Sequence, residues 1–272
     1  MSRNLERRVP GPTRIPRVLA IAGSDSGGGA GIQADLKAFA AAGVHGMTAV
    51  TAITAQNTVG VEAVQAIAPD VIVAQVRAVA EDIGVDAVKI GMLGDTATIA
   101  AVVESLDLLD ARVPIVLDPV MVAESGAELL APDARDALVR DLLPRAAVVT
   151  PNVPEARALV GAPDAEPEEL ARAVRALGPS AVVITGGHRE EPVDLFYDGT
   201  KLTAIGGRRA PDGAAHGSGC THSSTLAARL ALGDPPYDAA VAAKAAAADA
   251  VAHGLRDLGA GPGPVDVLHL AG

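Results

Sequence analysis

Apolar and polar positions in this chain follow two rhythms in turn. Short continuous apolar runs give way to longer stretches with apolar residues at helical spacing. The runs predict strands at Val18–Ala22, Met47–Thr54, Asp86–Ile90, Ile115–Leu117, Ala147–Thr150 and Ala181–Thr185. The helical stretches are Gly31–Ala42, Pro69–Ile83, Thr96–Leu109, Pro132–Leu142, Val153–Val160, Pro167–Leu177, Ser218–Leu232 and Tyr237–Gly254. Such alternation predicts an α/β fold, with a mostly parallel sheet covered on both faces. A later pair, Val193–Tyr197 and Lys201–Ile205, flanks Asp198-Gly199 and predicts an antiparallel edge hairpin.

Residues 17–272 read as one domain, with a turn-rich stretch at Gly259–Pro264 and no internal repeat. Residues 1–16 carry Arg3, Arg7, Arg8 and Arg14 but no apolar run, which predicts a flexible basic tail and not a signal peptide.

Composition narrows the function. Of 272 residues 49% are hydrophobic but only 1% aromatic, so Ala, Val, Leu and Ile must build the core. A net charge of −11 argues against a nucleic-acid surface, and no run reaches membrane-span length. The single cysteine cannot form an internal disulfide, which fits a reducing, cytoplasmic setting.

Candidate chemistry gathers after predicted strand ends, where ligands bind such sheets. His216-Gly-Ser-Gly-Cys220 opens a helix, so amides of Ser218, Gly219 and Cys220 are expected to be free for an anion, and a thiol there is expected to have a lowered pKa. Gly23-Ser-Asp-Ser-Gly-Gly-Gly-Ala-Gly31 follows a strand and reads as a ligand-approach loop or a plain tight turn. Its Gly29-x-Gly31-x-x-Ala34 matches a dinucleotide fingerprint, but Gln56-Asn57 stands where the acidic partner belongs. Asp35 is either a first-turn helix acid or a substrate hydroxyl acceptor. Asp118 ends a strand, where it can hold Mg²⁺ through water and orient nucleotide phosphates. Asn152 and Glu155 fit a capping box, which is compatible with metal duty. Gly186-Gly187-His188 suggests a ligand passing over a strand end. His45, His188 and His222 show no metal-ligand spacing, so no zinc site is expected from them.

Seven strings in order give the chain a resemblance. They are Gly-Ser-Asp-Ser-Gly-Gly-Gly-Ala-Gly-Ile-Gln-Ala-Asp-Leu-Lys (23–37), Thr-Ala-Gln-Asn-Thr-Val-Gly-Val (54–61), Lys-Ile-Gly-Met-Leu (89–93), Leu-Asp-Pro-Val-Met-Val (117–122), Thr-Pro-Asn-Val-Pro-Glu-Ala (150–156), Gly-Gly-His (186–188) and His-Gly-Ser-Gly-Cys-Thr (216–221). Together the chain resembles the hydroxymethylpyrimidine/phosphomethylpyrimidine kinases of thiamine biosynthesis. The resemblance implies a ribokinase-like three-layer α/β/α sandwich, a homodimer, and MgATP-dependent phosphorylation of 4-amino-5-hydroxymethyl-2-methylpyrimidine and then of its monophosphate. It implies that Asp35 and Gln56 hold the pyrimidine, with Gly23, Met92 and Val120 lining the pocket. It implies that Asp118, Asn152 and Glu155 organise Mg²⁺ and the ATP phosphates, near Thr185 and Gly187. Gly217, Ser218 and Gly219 would form the anion hole, and Cys220 would be the base.

Three departures from the family pattern stand out. Thr185 replaces a common lysine, Glu124 stands where many members have lysine, and Ala214-Ala215 replaces Asn-Thr. All three remove phosphate-binding groups, which predicts a weakened second phosphorylation; Arg189, Arg208 or Arg209 could compensate. Three other readings compete. They are a pyridoxal or pyridoxine kinase of the same fold, a non-catalytic vitamin-binding module, and an oxidoreductase resting on the glycine pattern alone.

Overall fold

The structure, a computed structural model, describes residues 14–122, 126, 128–186, 192–210 and 213–271. Strand β1 (Arg17–Asp25) leads through the glycine loop into helix α1 (Gly31–Ala41). Strands β2 (His45–Gln56) and β3 (Val61–Ala66) precede α2 (Pro69–Asp82), β4 (Ala87–Ile90), α3 (Thr96–Leu106) and β5 (Ile115–Leu117). Helix α4 (Pro132–Ala137) runs on through a wide turn at Leu138–Leu142, and β6 (Val148–Val149) follows. Then come α5 (Val153–Val160), α6 (Pro167–Ala176), β7 (Ala181–Ile184), β8 (Asp194–Tyr197), β9 (Leu202–Ile205), α7 (Ser218–Ala231) and α8 (Pro236–Ala252).

These nine strands form one sheet in the order β3-β2-β1-β4-β5-β6-β7-β8-β9. From β2 across to β7 the pairs are parallel, while β3 and β8 run against them at the two sides and β9 pairs antiparallel with β8 at the edge. Side-chain alternation on each strand sorts the core into two layers. Leu19 and Ile21 face Ile72, Val76, Ile99, Leu138 and Leu170. Val18 and Ala20 face Phe39, Leu226, Ala239 and Ala243. Small residues let α7 and α8 approach closely on that second face, which is how a core almost without aromatics stays filled.

The expected three-layer α/β/α arrangement is therefore present, with differences in detail. The hairpin around Asp198-Gly199 forms as predicted. Strand β3 was not predicted. Val61-Glu-Ala-Val-Gln-Ala has no strict two-residue alternation and is exposed over most of its length, because its order comes from backbone pairing to β2 and not from burying a face. Strand β1 runs past its predicted end at Ala22 to Asp25, because the polar Ser24 and Asp25 stay paired to β2 across a bulge. Arg14 and Arg17 both pair with Asp86, at 3.3 Å and 2.8 Å, so Arg14 is tied to the domain; residues 1–13 of the predicted tail lie outside the described residues.

Candidate active site

The first turn of α7 and the start of α1 converge above the ends of β4 and β5. Gly217 opens α7 at φ +82°, and a Cβ there would overlap the carbonyl oxygen of Gly29, so the turn requires glycine. The expected anion hole is corrected at one position. The Ser218 N–H donates to the Ala215 carbonyl at 2.9 Å, because the turn closes on itself. Gly217, Gly219 and Cys220 keep N–H groups with no acceptor among the described residues.

The thiol expectation is overturned. Burial pushes the Cys220 thiol up to about 12, Lys89 opposes that, and the Asp35 and Asp118 carboxylates add to it. The Gly31 amide, at the start of α1, hydrogen-bonds the sulfur and pulls the other way, but too weakly to win. A helix N-terminus lowers a thiol pKa only when two nearby carboxylates and desolvation do not outweigh it.

Beneath Cys220 lies a buried charge network. Lys89, fully buried in β4, donates to Asp35 Oδ1 at 2.8 Å. Ser224 donates to the same oxygen at 2.7 Å, and Asp35 Oδ2 has no hydrogen-bond partner among the described residues. Asp35 is itself fully buried within α1, so its carboxylate meets Lys89 and Ser224 and is not open to a ligand from solvent. Burial alone would push Lys89 down, but Asp35 first, then Cys220 and Asp118, hold it well above the usual lysine range. Asp118, 6% exposed at the end of β5, accepts from Ser223 at 3.0 Å. Burial raises Asp118 against the pull of Lys89 and Ser223.

Asn152 and Glu155 form the capping box in full. Asn152 Oδ1 accepts from the Glu155 N–H at 2.8 Å, and Glu155 Oε2 accepts from the Asn152 N–H at 2.9 Å. Burial, and after it the charge of Asp118, raises Glu155 to about 8. Two carboxyl groups raised by desolvation and by a neighbouring carboxylate, Asp35 for Asp118 and Asp118 for Glu155, fit a hard divalent cation, which would relieve both. Thr185 pairs with the same corner, its N–H donating to Pro151 O at 2.9 Å. Gly187, His188, Arg189 and Glu124 lie outside the described residues.

The glycine loop is a self-contained turn. The Asp25 carboxylate accepts from Gly27, Gly29 and Ala30 N–H groups at 2.8–3.0 Å and lies 3.4 Å from His216 Nε2. Burial would raise Asp25, but His216 and these amides hold it below the usual range. The loop amides therefore do not form a phosphate cradle; their acceptor is built in. Gly23, Met92 and Gln56 lie close to this loop. A Cβ on Gly23 would stand 3.2 Å from Met92 Sδ. The Gln56 backbone bonds Ser26, its side-chain Oε1 accepts from Thr54 at 3.2 Å, and its amide nitrogen has no partner among the described residues. Val120 is half-buried beside Asp118, its N–H donating to Asp118 O at 2.8 Å.

Four groups of the candidate site carry no sequence-based expectation: Lys89, the Asp25–His216 pair, Ser223 and Ser224. Lys89 carried a readable signal, since a lone lysine inside Ala-Val-Lys-Ile sits in a strand buried on both faces. The serines carried none, because their role depends on which face of α7 meets β4 and β5. A further buried cation, Lys244, lies 2.6 Å from Asp194, which also bonds the Gly186 N–H at 2.8 Å.

Comparison with known proteins agrees with this geometry. A family model described as phosphomethylpyrimidine kinase matches residues 25–266. A hydroxymethylpyrimidine/phosphomethylpyrimidine kinase of Rhizobium meliloti is 48% identical over 258 residues, which cover 92% of this chain and 96% of the relative. The solved phosphomethylpyrimidine kinase of Clostridium difficile 630 has a TM-score of 0.73 at 40% identity, covering 85% of this chain and 96% of its own. The pyridoxal kinase of Staphylococcus aureus, solved with AMP-PCP and pyridoxal, has a TM-score of 0.86 at 34% identity, covering 95% and 96%. The fold is thus a ribokinase-like α/β/α sandwich. With the model match running from the Asp25 turn to Asp266, the chain belongs to the phosphomethylpyrimidine kinase family.

Proposed function

We propose that this kinase transfers the γ-phosphoryl group of ATP to 4-amino-5-hydroxymethyl-2-methylpyrimidine, and then a second to the monophosphate, for thiamine biosynthesis. The observation that carries the reading is the convergence of Cys220, Lys89 and Asp118 under the first turn of α7, whose Gly217, Gly219 and Cys220 amides have no acceptor among the described residues. Gln56 offers its amide nitrogen to the ring, between Met92, Gly23 and Val120. The hydroxymethyl oxygen forms a bond to the γ-phosphorus while the bond to the β–γ bridging oxygen breaks and ADP leaves. Charge on the transferring group meets the amides of Gly217, Gly219 and Cys220.

In a loose transition state the hydroxyl proton leaves late, so positioning matters more than base strength. Cys220 takes that proton only when the loaded site lowers its thiol, and Lys89, with the Gly31 amide behind it, acts in that direction. Asp118 and Glu155 would hold Mg²⁺, which supplies charge neutralisation to the nucleotide phosphates when bound. Asp35 acts through Lys89 and not by contact with the ring.

The second phosphorylation is the weaker step in this reading. Thr185 brings no cation, Ala214 is buried, and Lys244 is engaged with Asp194. Arg208 and Arg209, exposed after β9, are described cations available to meet the substrate phosphate. ADP release with MgATP is to be compared for the alcohol, its monophosphate and pyridoxal. Turnover of both pyrimidines, with the alcohol ahead by tenfold or more, is expected; equal efficiencies would remove the weakening. Thr185→Lys is expected to improve the second step selectively. The pyridoxal kinase likeness favours a side activity on pyridoxal, and a preference for it in the same assay would replace the pyrimidine reading.

The protein acts in the cytoplasm as a homodimer in this reading. No described helix is long and apolar enough to cross a membrane. Ile53, Val59 and Val64 stand 50–65% exposed along the β2–β3 hairpin, an apolar edge suited to a second copy. Sedimentation at micromolar concentration is expected to give twice the chain mass, and a monomer would exclude the dimer.

A further inference from the structure

The C-terminal end of α8 carries a side-chain cluster that the kinase reading does not use. Asp249 and His253 stand four residues apart and share a helix face. His253 Nδ1 lies 3.0 Å from the Asp249 carbonyl oxygen and 3.4 Å from its Oδ1. His269 arrives from the chain's last segment, with Nε2 3.1 Å from Asp249 Oδ2. The two imidazole rings meet edge-on with centroids 4.8 Å apart. One donor atom from each residue lies within 4.8 Å of the others, and no other group of three does so among the described residues. All three are about half exposed, so an ion with its remaining waters can reach them.

The turn that presents His269 is built onto α8. Asp266, 2% exposed, accepts from Leu268 N at 3.3 Å and Ala271 N at 3.1 Å, while its own N–H donates to Ala250 O at 2.9 Å. His269 itself is held at φ +53°, a left-handed conformation that no other non-glycine residue adopts among the described ones.

We propose that Asp249, His253 and His269 bind a divalent transition ion of the zinc class and staple the C-terminal segment to α8. Two imidazoles and one carboxylate are a donor set for zinc, with a position left for water, and not for Mg²⁺, which prefers oxygen alone. Neither histidine is among His45, His188 and His222, and His269 joins its partners only through the fold. The same segment reaches the active site at its other end, where Val265 N donates to His216 O at 3.0 Å beside the Asp25 turn. An ion at the cluster therefore fixes the far end of a strap whose near end supports the turn opening α7.

Zinc titration by calorimetry on the untagged, chelator-treated full chain tests this, with His269→Ala and Asp249→Asn alongside and circular dichroism to check folding. The wild type is expected to bind one zinc equivalent, undisturbed by millimolar Mg²⁺, with affinity reduced about tenfold or more in each variant. Both substitutions are at exposed positions and are expected to leave the fold intact. Absence of zinc binding, or equal affinity in the folded variants as for an ion held at Cys220, would overturn the site.

Discussion

Replacing Lys89 by methionine is expected to cost about 3–5 kcal/mol of stability, the range for breaking a buried pair from one side. The methylene stem is largely kept, so packing alone does not account for the loss. What disappears is the one cation beside Asp35 Oδ1, and the charge that opposes the rise of Asp118. In the variant both carboxyls stand still higher above their unfolded value of 3.8. The folded variant then binds more protons than its unfolded chain, so its stability falls as pH rises above that value. In the wild type Lys89 is raised above 10.5, so its contribution is full below that pH and is lost only as pH climbs through the folded value. The deficit of Lys89→Met is therefore expected to be larger at pH 8 than at pH 5 in denaturant melts. A deficit equal at both would show lost packing and not lost charge. Adding Asp35→Asn is expected to recover part of the stability without restoring turnover.

Cys220→Ala is the second substitution with a large expected effect. Turnover is expected to fall by about 10²–10³-fold, within the range for a positioned proton acceptor, with the pyrimidine KM nearly unchanged. Cys220→Asp is expected to retain more activity than the alanine variant, since a carboxylate can also take a late proton. Wild-type turnover in Cys220→Ala would leave the free amides as the whole catalytic contribution of this turn. The resting thiol offers a separate check. With a thiol pushed up to about 12, only about one part in 10⁴ to 10⁵ is thiolate near neutrality, so alkylation is expected to be slow and to rise about tenfold per pH unit through pH 9. Fast labelling at pH 7 would contradict the buried charge balance.

Both expectations rest on Lys89, and its case shows where the sequence stops. The strand holding it was legible as an apolar run, and its position before Gly-Met-Leu lies in one of the matching motifs. Nothing local said that its ammonium would meet Asp35, which lies 54 residues earlier, or face a thiol far later in the chain. From the sequence, Asp35 is either a first-turn acid or a substrate contact. Packing of α1 against α7 buried it and made it a counter-ion instead.

The sequence by itself determined the strand–helix rhythm, the Asp198-Gly199 hairpin, the capping box at Asn152 and Glu155, and the family through its ordered motifs. Each of these depends on residues close in the chain, where periodicity, turn chemistry and capping act directly. Tertiary structure alone decided the rest. It placed the edge strand β3 by backbone pairing, let Asp25 satisfy the glycine-loop amides, and brought His269 to the end of α8. It also raised the Cys220 thiol where a helix start alone would have lowered it. Desolvation and charge pairing depend on what surrounds a group in space, and distant segments supplied those surroundings.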